Sequence, residues 1–279
     1  MKTMESVPAS TLTSMRCGGV IARLFEPESG EELQGLIRAP AGFHLLGAGT
    51  NTIFADTTIH TPVIRLGPSF DFIETVDGGL RAGGATHVKK ILSRCVKDGL
   101  TGMEFMAGIP GTLGGALAMN AGTAKKGIME VVREIEAVDA SGPRTIDPSS
   151  LPWGYRRGGI EPGTVVTAAV LALEPSTTDE VRARILEHLE KRRNQPRGPS
   201  AGSVFKNPPE APAGLLIDRA GLKGTRVGGA KVSELHANFI VNDEGASATD
   251  VAALIALVKR QVFDRFGIEL HEEVRFIGQ

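Results

Sequence analysis

The chain reads GIPGTLGGA from Gly108 to Ala116, and the first eight of these positions hold four glycines and one proline. Such a run forms a rigid surface with few side chains, because glycine lacks a Cβ and proline fixes its own φ. The sequence NAG follows at Asn120–Gly122. Either a flat or phosphorylated cofactor lies on such a surface, or other backbone packs closely against it.

A second small-residue loop, Gly47–Asn51 (GAGTN), follows an apolar strand predicted at His44–Leu46. It has G-x-G but no third glycine at the dinucleotide spacing and no P-loop lysine, so it matches neither fingerprint. Consecutive small residues still expose backbone N–H groups, and such concavities bind phosphate. Taken alone, this loop is more often an ordinary turn. Two glycine loops in one domain favour a cofactor, since a large dinucleotide needs separate places for its pyrophosphate and its rings.

Composition narrows the class of protein. The chain has 279 residues and a formal net charge of −1, so it is long enough for more than one domain and lacks the charge of a nucleic-acid or acidic-membrane binder. Cys17 and Cys95 are too few for a disulfide framework, which favours a reducing cytoplasm. No apolar signal core precedes Ser14, and the longest apolar stretches are too short to span a bilayer. We expect a cytoplasmic monomer.

Strand-like and helix-like patterns alternate along the chain, which predicts a fold of the α+β kind. The predicted helices are Glu31–Ala39, Thr86–Lys97, Asp179–Arg193 and one capped by Thr249 and ended by Gly267; the predicted strands are His44–Leu46, Glu134–Asp139, Thr164–Glu174, Ala237–Val241 and Glu273–Ile277. The third helix ends near Pro196, which cannot continue a helix. It therefore marks a boundary between an N-terminal and a C-terminal domain.

The segment Pro199–Pro208 (PSAGSVFKNP) carries a candidate catalytic serine. Gly202 lets the backbone approach a ligand closely. Ser203 then offers a hydroxyl, and Lys206 and Asn207 offer groups suited to an anionic, polar substrate. The alternative is a turn rich in Ser, Gly and Pro before a strand.

Tyr155 and Arg156 form a third candidate feature. Tyr155 is the only tyrosine of the chain. The guanidinium of Arg156 can bind a carboxylate or a phosphate through two parallel hydrogen bonds. Because exposed arginines are common, a plain surface role is the alternative for Arg156.

Together these segments resemble the UDP-N-acetylenolpyruvoylglucosamine reductase (MurB) family, flavoproteins of peptidoglycan precursor synthesis. The resemblance runs from about Thr11 to Gly278, and its most specific pieces are Pro199–Pro208 and the terminal EVRFIG of Glu273–Gly278. It implies a vanillyl-alcohol-oxidase/PCMH-type FAD-binding domain of two subdomains over residues 1–194. A smaller C-terminal α+β substrate domain follows over residues 195–279, and its last strand, about 272–278, returns to the active site. The C-terminal half lacks room for the extra substrate loop of longer members, so the chain resembles the shorter form.

The resemblance implies a UDP-N-acetylmuramate dehydrogenase that uses FAD, with NADPH as hydride donor. It would reduce UDP-N-acetylglucosamine enolpyruvate to UDP-N-acetylmuramate, and so serve cell-wall biogenesis, cell shape, cell division and the cell cycle. Arg156 and a protonated Glu273 would bind the substrate carboxylate as charge develops on the neighbouring carbon, and Ser203 would donate the proton. No metal is implied. The alternatives are another FAD-dependent oxidase or dehydrogenase of the same superfamily, and a non-catalytic flavin or UDP-sugar binder.

The remaining site residues also follow from the resemblance. The cofactor-binding residues are Gly47, Ala48, Gly49, Thr50, Asn51, Gly108, Ile109, Pro110, Gly111, Gly114, Gly115, Asn120, Gly122 and Arg275. The substrate-binding residues are Tyr155, Asn207 and His236, with Arg192 and Arg193 as further candidates for UDP-sugar contacts. A core histidine on a strand is the alternative for His236.

The chain departs from the family pattern at several positions. Ala48 and Thr50 replace a glycine and a serine, Thr123–Gly127 stands where Ala-Tyr-Gly is usual, and Gly158 replaces a serine. None of these changes removes a residue assigned to the chemistry.

Overall fold

The computed structural model describes residues 1–278, which form two compact units. Unit 1 contains Met1–Met4, Leu24–Ala48 and Thr61–Arg193. Unit 2 contains Glu5–Arg23, Gly49–His60 and the residues from Asn194 on. The final passage from unit 1 to unit 2 therefore falls between Arg193 and Asn194, although two earlier stretches also belong to unit 2. The continuous domains 1–194 and 195–279 stay a prediction.

Residues 1–278 contain helices α1 (Gly30–Ile37), α2 (Val88–Asp98), α3 (Leu113–Ala118), α4 (Thr178–Glu190), α5 (Ala213–Arg219) and α6 (Ala248–Phe266). The predicted cap at Thr249 is wrong. Ser247 is the N-cap, and it exchanges hydrogen bonds with Asp250 in a capping box, because a hydroxyl and a carboxylate three residues apart satisfy each other's backbone N–H. Gly267 ends α6 at φ 67°, as predicted.

The strands are β1 (Lys2–Pro8), β2 (Val20–Glu26), β3 (His44–Leu45), β4 (Thr52–Phe54), β5 (Val63–Ile64), β6 (Ile73–Val76), β7 (Gly79–Gly83), β8 (Leu100–Thr101), β9 (Val132–Asp139), β10 (Gly142–Ile146), β11 (Val165–Ala172), β12 (Glu174–Pro175), β13 (Ser200–Ser203), β14 (Arg226–Val227), β15 (Ala230–Val232), β16 (Phe239–Asn242) and β17 (Arg275–Ile277). The mixed α and β content predicted from the sequence is confirmed.

Unit 1 is built on an antiparallel sheet in the order β10–β9–β11–β7–β6. Apolar side chains of this sheet and of helices α2, α3 and α4 form one buried cluster, in which Leu80, Ile91, Leu117, Ile135 and Leu171 are fully buried. A smaller parallel group pairs β5 with β2 and with β3. The glycine loop Gly47–Asn51 follows β3, and the second glycine-rich segment, Gly108–Ala116, runs into helix α3, so that Gly114 and Gly115 are helical.

Unit 2 is built on an antiparallel sheet in the order β13–β16–β15–β14 and on the parallel pair β17–β4. The buried face of α6, with Val251, Leu254 and Val262, packs into the same apolar cluster as Phe205 and Ile53. Residues far apart in the sequence thus share one core.

Candidate functional site

Within unit 1 the backbone of one glycine loop lies against the other. A Cβ added at Gly47 would lie 2.9 Å from Thr112 Oγ1 and 3.7 Å from Gly115 Cα. The same Thr112 hydroxyl caps α3 by accepting a hydrogen bond from the Gly115 N–H. A Cβ at Gly114 would lie 3.1 Å from the Gly84 carbonyl oxygen. Glycine relieves close contacts at both positions, and the result is a surface with few side chains.

Asn120 lies at the end of this glycine-rich segment, and its side chain is committed to protein backbone. It is 5% exposed and has φ 42°, in the left-handed region that asparagine tolerates. Its Nδ2 donates to the Gly154 carbonyl at 2.9 Å, and its Oδ1 accepts from the Met129 N–H at 3.0 Å. Its predicted role in cofactor binding stays a prediction.

Arg156 lies in a tight turn that the Asn120 side chain holds. Gly154 and Arg157 exchange backbone hydrogen bonds of 2.8 and 3.1 Å, and Arg156 between them adopts φ 55°. Its guanidinium lies over the Tyr155 ring at 4.8 Å and donates to the Gly122 carbonyl at 3.3 Å. The two predicted residues Tyr155 and Arg156 therefore touch each other.

Arg192 joins this part of unit 1. A Cβ at Gly108 would lie 2.7 Å from Arg192 Cδ. Burial lowers the pKa of the Arg192 guanidinium, and the positive charge of Arg156 lowers it further. Two guanidinium groups that repel each other suit an anionic ligand, because the ligand's charge would relieve the repulsion. Arg193 instead is largely exposed and pairs with Glu190 at 2.9 Å.

Unit 2 brings the segments of Ser203 and Glu273 side by side. The Glu273 N–H donates to the Val204 carbonyl at 2.7 Å, and the Lys206 N–H donates to the His271 carbonyl at 2.9 Å. Phe205 and Glu272 form an antiparallel bridge. Gly202, immediately before Ser203, has φ 76°. The structure thus fixes two of the three predicted catalytic residues on neighbouring stretches of backbone.

Asn51 ties the Gly49–His60 stretch of unit 2 to the same place. Its Nδ2 donates to the Glu273 carbonyl at 2.9 Å, and its own carbonyl accepts from the Arg275 N–H at 2.9 Å. Gly49 has φ 66°, and a Cβ there would lie 2.1 Å from the Leu12 carbonyl oxygen. Gly49 is therefore required by the protein's own backbone, whatever ligand the loop binds.

Two predicted substrate-binding residues of unit 2 make backbone contacts. Asn207 Oδ1 accepts from the Ala213 N–H at 3.0 Å, at the start of α5. His236 Nδ1 accepts from the Asn238 N–H at 3.2 Å, and its ring meets the Phe239 ring edge-on at 5.0 Å. Burial lowers the pKa of His236. The assignment of Asn207 and His236 to the substrate stays a prediction.

Both cysteines of the chain are buried. Burial raises the pKa of Cys17 to about 11 and that of Cys95 to about 12, so neither thiol is ionised at neutral pH. Among the described residues, no three His, Cys, Asp or Glu side chains are grouped so that they could hold a metal ion. The helices of the same range include none that could cross a membrane.

The site fits a flavin dinucleotide. Unit 1 offers the side-chain-poor surface of Gly47, Gly114 and Gly115, where a Cβ at Gly47 would crowd the Thr112 hydroxyl and one at Gly114 would crowd the Gly84 carbonyl oxygen. Backbone N–H groups on such a surface are suited to a pyrophosphate.

Comparison with known proteins gives two family matches. The family described as "UDP-N-acetylenolpyruvoylglucosamine reductase, C-terminal domain" matches residues 194–277, and the one described as "FAD binding domain" matches residues 21–145. The reductase of that name from Anaeromyxobacter dehalogenans (strain 2CP-C) is 40% identical over 99% of this chain and 86% of its own length. The one from Syntrophotalea carbinolica is 40% identical over 98% of this chain and 93% of its own length.

Among solved structures, the chain is similar to UDP-N-acetylenolpyruvylglucosamine reductase (MurB) from Thermus caldophilus. The two sequences are 35% identical, and the two structures superpose with a TM-score of 0.88 over 99% of this chain and 98% of that one. These matches confirm the predicted α+β fold with an FAD-binding domain and a further C-terminal domain. The vanillyl-alcohol-oxidase/PCMH type of that domain stays a prediction.

Proposed function

Because the chain belongs to the UDP-N-acetylenolpyruvoylglucosamine reductase family, we propose that Arg156, Ser203 and Glu273 carry its chemistry. The reaction is the reduction of UDP-N-acetylglucosamine enolpyruvate to UDP-N-acetylmuramate, and the chain is an FAD-dependent oxidoreductase. FAD, reduced by NADPH, supplies the hydride. The observation that carries the residue assignment is the hydrogen-bonded pairing of the Ser203 and Glu273 segments in unit 2.

Ser203 acts as the proton donor. Hydride addition to the enol ether leaves negative charge on the carbon beside the carboxylate, and this carbon must take up a proton. A serine hydroxyl is a weak acid, but an enolate-like carbanion is a strong base, so the transfer is feasible once the hydroxyl is held in place. The backbone bonds on both sides of Val204 and Phe205 support this positioning.

Arg156 and Glu273 act on the substrate carboxylate, which gains negative charge as the hydride is added. The guanidinium stabilises this charge electrostatically. Glu273 contributes in its protonated form, as a hydrogen-bond donor. The contact of the guanidinium with the Tyr155 ring and its hydrogen bond to the Gly122 carbonyl orient it, which supports a role that depends on direction.

The other assignments are proposed on the same basis. The glycine-loop residues and Arg275 hold FAD, and Tyr155, Asn207 and His236 contact the UDP-sugar. NADPH as the hydride donor, a cytoplasmic location, a monomeric state and a contribution to cell-wall synthesis, cell shape and division belong to the proposal as well. Together they describe a cytoplasmic step of peptidoglycan precursor synthesis.

The test is the variant Ser203→Ala, followed by stopped-flow absorbance of the flavin. Reduction by NADPH should proceed at the wild-type rate, while reoxidation by the enolpyruvyl substrate should slow about 10²–10⁴-fold, as for the loss of a general acid. Ser200→Ala, in the same strand β13, is the matched control and should leave both rates unchanged. Equal slowing of both half-reactions in Ser203→Ala would refute the proton-donor role.

A further inference from the structure

Asn238 is a buried polar residue to which the mechanism above gives no part. It is 4% exposed and directly precedes strand β16. Its Oδ1 accepts from the Phe205 N–H at 2.9 Å, and its Nδ2 donates to the Phe205 carbonyl at 2.8 Å. One side-chain amide thus satisfies both backbone groups of one residue, in the way that a neighbouring strand would.

This clamp lies where the strand pairing stops. Ser203 is paired with Phe239 in the β13–β16 ladder, and the next N–H, that of Val204, donates to the Asn238 backbone carbonyl at 2.8 Å. The side chain of Asn238 then carries the pairing one residue further, to Phe205. On the opposite edge, the Glu273 N–H donates to the Val204 carbonyl. The residues after Ser203 are therefore held from two sides.

The need for such a clamp follows from Gly202. Its φ of 76° is available to glycine at little cost, and a Cβ at this position would meet only the Thr50 carbonyl oxygen, at 3.9 Å. Ser203 thus follows a permissive residue with open space beside it. Its position depends on its pairing with Phe239 and on what holds the chain after it, and a displacement of about 1 Å can cost about 10²-fold in rate.

We infer that Asn238 is a positioning residue for Ser203: its amide clamps the backbone of Phe205 and so holds the Ser203 hydroxyl at the place where the proton is delivered. This inference rests on the proposed function. It predicts that loss of the clamp slows the step that uses Ser203 and spares the step that does not.

Asn238→Asp offers a test that can be switched by pH. A protonated aspartic acid has nearly the same shape as asparagine, and it can both accept from the Phe205 N–H and donate to the Phe205 carbonyl. Once ionised, it can only accept, and it faces the Phe205 carbonyl oxygen with negative charge. Burial among apolar groups favours the protonated form, so the clamp should be intact at low pH and lost as pH rises.

The experiment measures both flavin half-reactions of Asn238→Asp and wild type by stopped flow across pH. The titratable and charged groups on the segments packed around Asn238 include Lys206, Asp218, Arg219, Lys223, His236, His271, Glu272 and Glu273. They are present in both proteins, so the ratio of the two rates isolates the new carboxyl group. The ratio for reoxidation by the enolpyruvyl substrate should be near 1 at low pH and fall about 10²-fold at high pH. The ratio for reduction by NADPH should stay near 1.

Two further variants complete the test. Asn238→Ala should slow reoxidation about 10²-fold at every pH; if it does not fold, the low-pH activity of Asn238→Asp still decides. Asn242→Asp is the matched control, since Asn242 lies at the other end of β16 and also bonds to backbone through both side-chain atoms. It should show no pH-dependent step.

The outcomes separate this inference from the proposed function. A flat reoxidation ratio for Asn238→Asp, with Ser203→Ala selectively impaired, overturns the clamp and leaves the proton-donor role standing. A fall of equal size in both half-reactions also overturns it, because it would mark a general loss of structure. Normal reoxidation in Ser203→Ala would instead remove the proposed function on which the inference rests.

Discussion

Each unit contains a buried asparagine that supports a proposed catalytic residue, but the two are used differently. In unit 1, Asn120 joins two separate segments, with one bond to Gly154 and one to Met129. In unit 2, both side-chain hydrogen bonds of Asn238 are made with the backbone of Phe205. Asn120 therefore organises a region, whereas Asn238 fixes one point of the backbone.

The two arrangements predict different effects of mutation, one on stability and one on a single step of the reaction. Loss of Asn120 frees two segments and should weaken unit 1 as a structure. Loss of Asn238 frees the backbone two residues from Ser203 and should mainly affect one chemical step. The conformations differ as well, since Asn120 adopts a left-handed φ of 42°.

The largest effect is expected from Asn120→Ala. It leaves the buried Met129 N–H without its partner, at about 1–3 kcal/mol. It also removes one of the two hydrogen bonds that the Gly154 carbonyl accepts, at about 1 kcal/mol, and places alanine in a left-handed conformation at about 1 kcal/mol. We expect a loss of about 4 kcal/mol in the free energy of unfolding, measured by urea denaturation. Asn120→Gly loses the same bonds without the strain and should be about 1 kcal/mol milder.

The contrast between the two asparagines would be wrong if Asn120→Ala lowered the free energy of unfolding no more than Asn238→Ala does. Both variants lose two hydrogen bonds, so a similar cost would mean that joining two segments adds nothing. Equal stability of Asn120→Ala and Asn120→Gly would separately contradict the part assigned to backbone strain.

A second prediction concerns Gly127, whose missing side chain leaves room for the Asn120 amide. A Cβ there would lie 2.2 Å from Asn120 Oδ1. Gly127→Ala should therefore displace the amide and cost about 2 kcal/mol of unfolding free energy, within the usual range for overpacking. The same change at Gly35, where a Cβ would meet nothing within 4 Å, is the control and should be neutral or slightly stabilising in helix α1.

A double-mutant cycle sharpens this prediction. If Gly127→Ala acts by pushing Asn120 aside, it should cost much less in the Asn120→Gly background, where no amide is present. Additive losses would show that Gly127 acts through other neighbours, because independent sites add and coupled sites do not.

Sequence patterns predicted the long elements well. The prediction of α6 and of its terminal Gly267 was correct, and so was that of α2, which Gly99 ends at φ 64°. Helix α3 was missed because LGGALA contains two glycines, which have low helix propensity; the Thr112 cap and burial of Leu113 and Leu117 override that propensity. Tertiary packing stabilises helix α3, and no local sequence pattern predicts it.

The candidate site was only partly predictable. The resemblance named Ser203 and Glu273, but the pairing of their segments arises from long-range folding that no local spacing encodes. Asn238 escaped notice because a lone asparagine next to apolar residues also suits a turn or a strand end. For Gly49 the backbone contact with Leu12 explains the glycine without any ligand, and its assignment to FAD stays a prediction.

The smallest expected effect on the free energy of unfolding comes from a charged side chain in unit 2. Asp56, like Asn238, holds a distant segment of unit 2 through backbone: its carboxylate accepts from the N–H groups of Ala248 and Thr249 at 2.8 and 2.9 Å and from the Thr249 hydroxyl at 2.7 Å. It thus supports the N-terminus of α6, where negative charge is favourable. Asp56→Asn should cost about 1 kcal/mol of unfolding free energy at pH 7, as for loss of a capping group.

The Asp56 contribution, unlike that of Asn238, should depend on pH. Burial by itself would raise the pKa of Asp56, but the bonds from Thr249 and Ala248 outweigh it, so the pKa lies below the ordinary 3.8. A carboxyl group with a lowered pKa in the folded state stabilises the fold fully above its unfolded pKa, and this stabilisation is lost as pH falls through the folded pKa. The difference between wild type and Asp56→Asn in urea denaturation should therefore be present at pH 7 and shrink as pH falls below about 4.

Asp264→Asn, at an exposed position near the other end of α6, is the control and should change the unfolding free energy at pH 7 by less than about 0.5 kcal/mol. A difference for Asp56→Asn that stays constant from pH 7 to pH 3 would show that the side chain acts through its shape rather than through its charge, and the contrast with the neutral clamp at Asn238 would disappear.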